Sequence, residues 1–461
     1  MFKTINPANG EILETYTYQS EASVESCIQR AVSAANDWAN TDNAIRANYV
    51  KRLGQCLSDA REHVATCISL EMGKPYAQAC SEVDKSVACC QYLATQVNEW
   101  IRPERLKLQG GGYAIQSYEP IGVIVAIMPW NFPLWQVIRA WVPALLVGNA
   151  VLLSPAPCTQ GTALLLKHLA DKAGCPEGLF QCLVIDDQKA HDVIAHPQVD
   201  GVTFTGSQKA GAAIAASAGQ ALKKSVLELG GSDPYLVLED ADLKQAARCC
   251  VEARLVNAGQ VCIAAKRLII HESIWTDFLD EVCREASSYQ LGDPFNPEAT
   301  VGPLARSDLR AHLHSQVQRS LDQGAIALMG GVCPEGPGFF YPVTVLIEVQ
   351  PGMPAYHEEL FGPVISCIKV HNETEAIRVA NDTPFGLTAA VFSASEQHVL
   401  ESIMPHLKVG SCAINQAVHS QFDVPFGGVK RSGYGRELGR LGCLEFVNAK
   451  ACFLSQRSCS Q

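Results

Sequence analysis

The chain has 461 residues, 48% of them hydrophobic and 18% charged, the proportions of an ordinary globular protein and not of a disordered one. At about 150 residues per domain, two to three domains are expected, with cores large enough to fold without disulfides or structural metals. A formal net charge of -11 argues against a general attraction to nucleic acid backbones or anionic membranes, so neither is expected as a partner.

The opening "MFKTINPANGEILETY" contains no apolar stretch of signal-peptide length. The longest apolar passages, "GVIVAIMPW" and "AWVPALLVG", are broken by Pro, Trp or Gly and fall short of the roughly 18 residues a membrane span needs. These features predict a cytoplasmic protein. In a reducing compartment its 19 cysteines would be free thiols packed as small hydrophobes. No CxxC pair is present, so a disulfide framework and a zinc ribbon both lose support and no metal is expected.

In chain order, residues 21 to 98 read as helices, the first opened by Ser20 as N-cap. From 119 to 230 strands and helices alternate. "IGVIVAIM", "AVLLS", "LFQCLVI", "GVTFTG" and "SVLELGG" read as strands of a buried parallel sheet, and "GTALLLKHLADKAG" as a crossover helix ending at Gly174. This is the pattern of a doubly wound nucleotide-type unit, class α/β. After residue 231 it restarts with "PYLVLED", "AAKRLIIHE", "AIALMGG", "VISCIKV" and "LTAAVFSA", separated by helices over 274–288, 305–322 and 373–381. The glycine-centred "ERLKLQGGGYAIQSYE", starting at Glu104, reads as a projecting hairpin, for which the last fifteen residues supply a matching strand. No internal repeat and no low-complexity linker interrupts this order.

Four stretches carry chemistry. "FTGSQKAG" follows a strand and opens a helix, with Gly206 and Gly211 five apart. Glycine admits close backbone approach to a phosphate, and a helix N-terminus offers free N–H groups. It is neither a P-loop nor GxGxxG, and a tight strand-to-helix turn explains the spacing equally well. "PWNFP" at 129–133 fixes Trp130 and Asn131 between two prolines at a strand end. A held Asn amide can donate to an oxyanion, although an Asn capping the next helix is the simpler explanation. "VLELGG" ends a buried strand on Glu228, where partial desolvation raises a carboxyl toward the range of a general base. Cys262, in "NAGQVCIAA", has small neighbours that leave room for a substrate. A thiolate is a strong nucleophile when a base is near, but any one cysteine is more often a packed core thiol, as the adjacent pairs Cys89–Cys90 and Cys249–Cys250 suggest.

In order along the chain, "PWNFP", "FTGS" with Gly211, "LELGG", "GQVC", "EELFGP" and "PFGGVKRSGYGREL" resemble the motifs of the NAD(P)-dependent aldehyde dehydrogenase superfamily. The resemblance runs from about residue 4 to the C-terminus and is greatest to the shorter bacterial succinate-semialdehyde dehydrogenases. It implies an NAD(P)-binding domain over 1–101 and 119–230 and a catalytic domain over 231–440. The remaining residues, 102–118 and 441–461, become an oligomerisation arm that builds a homodimer or homotetramer. Cys262 becomes the nucleophile that forms a thiohemiacetal, Asn131 and the Cys262 N–H the oxyanion holders, and Glu228 the base that activates water against the thioester. Thr205, Gly206, Ser207 and Gly211 fall at the pyrophosphate turn, Glu359 at the nicotinamide ribose, Phe361 against the nicotinamide, and Trp130 in the wall of the same cavity.

Two departures from the family pattern bear on cofactor and substrate. Where many members carry Lys-Pro-x-Glu at the adenosine ribose, this chain reads "LLSPAP", with Ser154 and Pro157 in the places of the Lys and Glu. Losing the Glu removes repulsion of a 2′-phosphate and losing the Lys removes attraction to it, so both NAD and NADP remain candidates. Arg139 stands where the semialdehyde enzymes carry a carboxylate-binding Arg, but a second Arg expected six residues before the nucleophile is replaced by Val256. Ser420, with His419 beside it, offers a hydroxyl to a substrate carboxylate. Trp135 and Phe422 would line a tunnel for uncharged aldehydes instead. The expected reaction is oxidation of an aldehyde, succinate semialdehyde first. A broad-specificity enzyme for aliphatic or aromatic aldehydes and an inactive binding protein on this fold are the alternatives, and Glu228 argues against a CoA-acylating relative.

Overall fold

A computed structural model describes residues 1–454. After a short antiparallel pair, Phe2–Ile5 with Ile12–Tyr16, the chain runs through the helices Glu21–Ala39, Asn43–Asp59, Arg61–Met72 and Tyr76–Trp100. Their starts are set locally: the Ser20 side chain accepts from Ser23 N at 3.2 Å and Asp42 from Ala44 N at 2.7 Å, satisfying first-turn donors. The third helix stops at Gly73, in the left-handed region at φ 79°, where glycine carries no Cβ penalty. In the first helix the buried residues Val24, Cys27, Ile28, Ala31, Ala35 and Trp38 recur at helical spacing and form one stripe. The Trp38 indole donates to Leu145 O at 2.8 Å, which ties that stripe to the helix Trp135–Val147.

The first sheet orders its parallel strands as Lys224–Glu228, Gly201–Thr205, Val123–Met128, Ala150–Pro155 and Phe180–Cys182. Chain order reverses between Val123–Met128 and Gly201–Thr205, so a crevice opens beyond the carboxyl ends of these two strands. Helices cover both faces, which is why the strands read as continuous apolar runs. The helix Trp135–Val147 is buried along almost its whole length, and its Trp141 ring stacks on Phe180 with centroids 3.8 Å apart.

The second sheet is ordered Ile326–Met329, Thr344–Ile347, Val364–Val370, Arg267–His271, Pro234–Val237, Thr388–Phe392 and Ser411–Ile414. All neighbours are parallel except the first pair. Its own apolar core is separate from the one beneath the first sheet. The strands 344–347 and 411–414 escape the sequence reading. Gly433–Tyr434 lies inside the span assigned to the catalytic segment, yet pairs antiparallel with Lys224–Glu228 of the first sheet.

Glu104–Lys107 and Tyr113–Pro120 form the hairpin, and Val447–Leu454 adds the third strand along Tyr113–Pro120. The part of the arm assigned to 455–461 lies outside the described residues. Among the described residues no helix is long and apolar enough to cross a membrane.

Candidate active site

The loops that leave the carboxyl ends of the first sheet meet the loops that enter the second. Gly206 N donates to Glu228 O at 3.0 Å, Asn131 Nδ2 to Gln260 O at 3.0 Å, and Gly231 N to Glu359 Oε1 at 3.0 Å. These bonds bring "PWNFP", "FTGS", "LELGG", "GQVC" and "EELFGP" together, although up to some 230 residues separate them in the chain.

Asn131 is buried, at 4% exposure, inside a collar of donors. Its backbone oxygen accepts from Lys74 Nζ at 3.0 Å and from Asn257 Nδ2 at 2.8 Å. One N–H of its amide goes to Gln260 O, two residues before Cys262, which leaves the second free to donate. Lys74 is itself paired with buried Glu82, and one Glu82 oxygen accepts from Leu134 N and Trp135 N, both at 2.9 Å. That carboxylate therefore caps the start of the Trp135–Val147 helix and holds the Asn131 loop. On the Cys262 side, Asn257 and Ala258 have φ 54° and Gly259 has φ 74°. A left-handed run of this kind is rare for residues with a Cβ. A Cβ at Gly259 would come within 2.2 Å of Gly362 O, so glycine is required there.

Cys262 is half-buried at the wall of a cavity of about 380 Å³, which is also lined by Arg139, Trp135, Val256 and Ser420. Asn131 and Glu228 are not among the residues that line it. Burial pushes the Cys262 thiol up to about 11 against the opposing charges of Arg139 and Lys266. Lys266 Nζ donates to the carbonyls of Val261, at 2.9 Å, and Cys262, fixing the nucleophile loop from below.

Glu228, at 2% exposure, has no hydrogen bond at either carboxylate oxygen. Burial, then the neighbouring Glu437, raises it well above the ordinary carboxylate range, and Arg139 and Arg436 oppose this. Arg139 is not a free cation. Its Nε is in ionic contact with Glu437, both side chains being buried, although its Nη2 makes no hydrogen bond.

The cofactor candidates gather at the switch point of the first sheet. Gly206 and Ser207 open the helix Gln208–Gln220, and the Ser207 hydroxyl accepts from Ala210 N at 3.3 Å as its cap. Both glycines answer to packing: a Cβ at Gly206 would meet the Phe204 ring at 2.5 Å, and one at Gly211 would meet Leu229 Cδ2 at 2.5 Å. Gly211 thus seats the helix on the strand end, a reason that spacing alone does not separate from phosphate approach. Thr205 Oγ1 is buried without a partner, and Ser154 and Pro157 close the neighbouring strand end. The Trp130 and Phe361 rings meet edge to face at 5.8 Å. Glu359 contacts Lys266 at 3.4 Å, and a Cβ at Gly230 would come within 2.0 Å of its Oε2. A helix N-terminus, an unpartnered hydroxyl, a carboxylate acceptor and an aromatic pair fit the phosphate, ribose and ring parts of a dinucleotide.

Sequence reasoning missed Lys74, Glu82, Lys85, Asn257, Gln260, Lys266 and Glu437. Several of these are polar residues at buried positions, the one signal that could have marked them, but burial is not visible before the helices pack.

The aldehyde dehydrogenase family model matches residues 1–452. The chain is 43% identical over 445 residues to the succinate semialdehyde dehydrogenase [NAD(P)+] Sad of Escherichia coli (strain K12), covering 96% of each. It is 40% identical to a probable succinate-semialdehyde dehydrogenase [NADP(+)] of Synechocystis sp., covering 98% of this chain and 99% of that one. The structure superimposes on the succinic semialdehyde dehydrogenase of Streptococcus pyogenes in complex with NADP+ with a TM-score of 0.96 and 34% identity, covering 99% of this chain and 100% of the other. The chain belongs to the aldehyde dehydrogenase family.

Proposed function

We propose that the protein oxidises an aldehyde to a carboxylate with NAD or NADP, and that its substrate is succinate semialdehyde. The observation that carries this reading is the Asn131 amide, held at 3.0 Å from Gln260 O with one N–H to spare beside the Cys262 loop. Cys262 Sγ adds to the aldehyde carbon as its proton passes to water in the cavity. The oxyanion of the thiohemiacetal accepts from Asn131 Nδ2 and the Cys262 N–H. NAD(P)+, when bound along Ser154, Pro157, Thr205, Gly206, Ser207, Gly211, Glu359, Phe361 and Trp130, supplies the hydride acceptor that converts this adduct to a thioester. Glu228 then takes a proton from water and lets the hydroxide displace the Cys262 thiolate, releasing the acid. Its raised proton affinity suits it to hold that proton.

The relatives' named substrate and the polar Ser420 in the cavity support succinate semialdehyde. The walls formed by Trp135 and Val256 support a second reading, a broad enzyme for uncharged aldehydes. A steady-state panel of semialdehydes and neutral aldehydes, run with each cofactor, separates the two. Cys262→Ala should lower aldehyde-dependent NAD(P)H formation by at least about 10³-fold while thermal melting and cofactor binding are retained; turnover within tenfold of wild type would reject the mechanism.

The reading extends to assembly and location. The three-stranded arm has free edges at Glu104–Lys107 and Val447–Leu454 and exposes Phe453 at 75%, which supports pairing with a second copy into a homodimer or homotetramer. The described cysteines are all free thiols, which supports a cytoplasmic setting.

A further inference from the structure

Three cations line the cavity beside Cys262: Lys74, Lys85 and Arg139. Lys74 is spent on Glu82 and Arg139 on Glu437. Lys85 makes no ion pair among the described residues. It comes from the Tyr76–Trp100 helix, outside both sheets, and is half-buried. Its ammonium donates to Ser420 Oγ at 2.7 Å and lies 4.3 Å from the centre of the Trp135 ring. An ammonium in such walls without an anion is poorly placed unless one arrives. The Ser420 hydroxyl, accepting from Lys85, keeps its own proton to donate. Val256, 36% exposed and apolar, stands on the facing loop where a charge was expected, so the cavity draws its unpaired charge from a different element.

We propose that Lys85, together with the Ser420 hydroxyl, binds the distal carboxylate of a short ω-carboxy aldehyde, and so sets the preference for semialdehydes over uncharged aldehydes. This rests on the semialdehyde reading of the site. Burial, then the charge of Arg139, lowers the Lys85 ammonium to about 8. It is faced by Glu82 and Cys89 from its own helix, Arg139 from Trp135–Val147 and Cys262 from the nucleophile loop, and by His419 beside Ser420. Its charge is present below that pH and lost above it.

The test is the ratio of kcat/KM for succinate semialdehyde to that for butanal, in which titrations of Cys262 and Glu228 cancel because both substrates need them. Lys85→Met should lower this ratio by about 10–100-fold, the worth of one charged hydrogen bond, and Lys85→Arg should keep most of it. In the wild type the ratio should fall as pH rises through about 8, a readout that needs no variant to fold. If wild type favours the semialdehyde while Lys85→Met keeps that preference, or the ratio is flat from pH 7 to 9, Lys85 is not the carboxylate site. If wild type shows no preference at all, the substrate reading falls and this role falls with it.

Discussion

The surroundings of Asn131 and of Glu228 are both buried and both polar, but they are built in opposite ways. Around Asn131 the positioning groups are held: its backbone oxygen accepts from both Lys74 and Asn257, its amide N–H goes to Gln260 O, and Glu82 holds Lys74 and the next helix at once, while the Asn131 Oδ1 has no hydrogen bond. Around Glu228 nothing holds the side chain by a hydrogen bond. Both of its oxygens lack hydrogen bonds, Glu437 Oε2 lacks one too, and Arg139, in ionic contact with Glu437, is shared between the two carboxyl groups, with Arg436 as the second cation acting on Glu228. Hydrogen bonds at both the backbone oxygen and the amide N–H fix a side chain in place, whereas a buried carboxyl with none raises its proton affinity and is free to turn. Under the proposed mechanism that is the division of labour required: a stationary donor for the oxyanion and a mobile carrier for the proton.

Three substitutions probe the contrast, in order of expected effect. Glu228→Gln removes the proton carrier and should lower kcat by about 10²–10⁴-fold, while a first-turnover burst of NAD(P)H survives because acylation precedes the step it serves. Rapid mixing measures this, and a burst lost in parallel with steady-state turnover would place Glu228 earlier in the reaction. Arg139→Ala leaves buried Glu437 without its ion-pair partner and should cost about 3–5 kcal/mol of stability. Urea denaturation reads that loss, and adding Glu437→Gln should restore part of it; an unchanged midpoint would mean the pair is not the one holding this nest. Lys74→Met leaves Glu82 its two backbone donors and should cost only about 1.5–3 kcal/mol. Turnover should fall with it as the Asn131 oxygen loses a partner. A stability loss with full kcat would show that the collar stabilises the protein without positioning Asn131.

The legible parts of the site share a property. Asn131 sits between prolines, Gly206 at a strand-to-helix turn, Glu228 before two glycines, and Cys262 after "NAG". In each case the local backbone marks the position, ambiguous by itself, and the order of the motifs along the chain, through the resemblance it carries, supplies the role. The residues that went unread work through partners far away: Lys85 reaches Ser420 across 335 positions, and Lys74 reaches Asn131 across 57. Arg139 was assigned through the resemblance as a carboxylate-binding arginine, and not as the partner of Glu437, 298 positions away by numbering.

The sequence by itself determined the α/β class, the doubly wound first sheet, the projecting hairpin and the motif order, because periodicity, caps and glycine turns are local consequences of backbone sterics and water avoidance. Only the tertiary structure decided which charges are spent and which are free. Lys74, Lys85 and Arg139 are equivalent cations on paper, and become a clamp, an unpaired ammonium and a neutralised guanidinium through the neighbours that folding supplies. The physical reason is that the effect of a charge is set by its distance to others and by the solvent removed around it, neither of which exists until the two sheets close on one cavity.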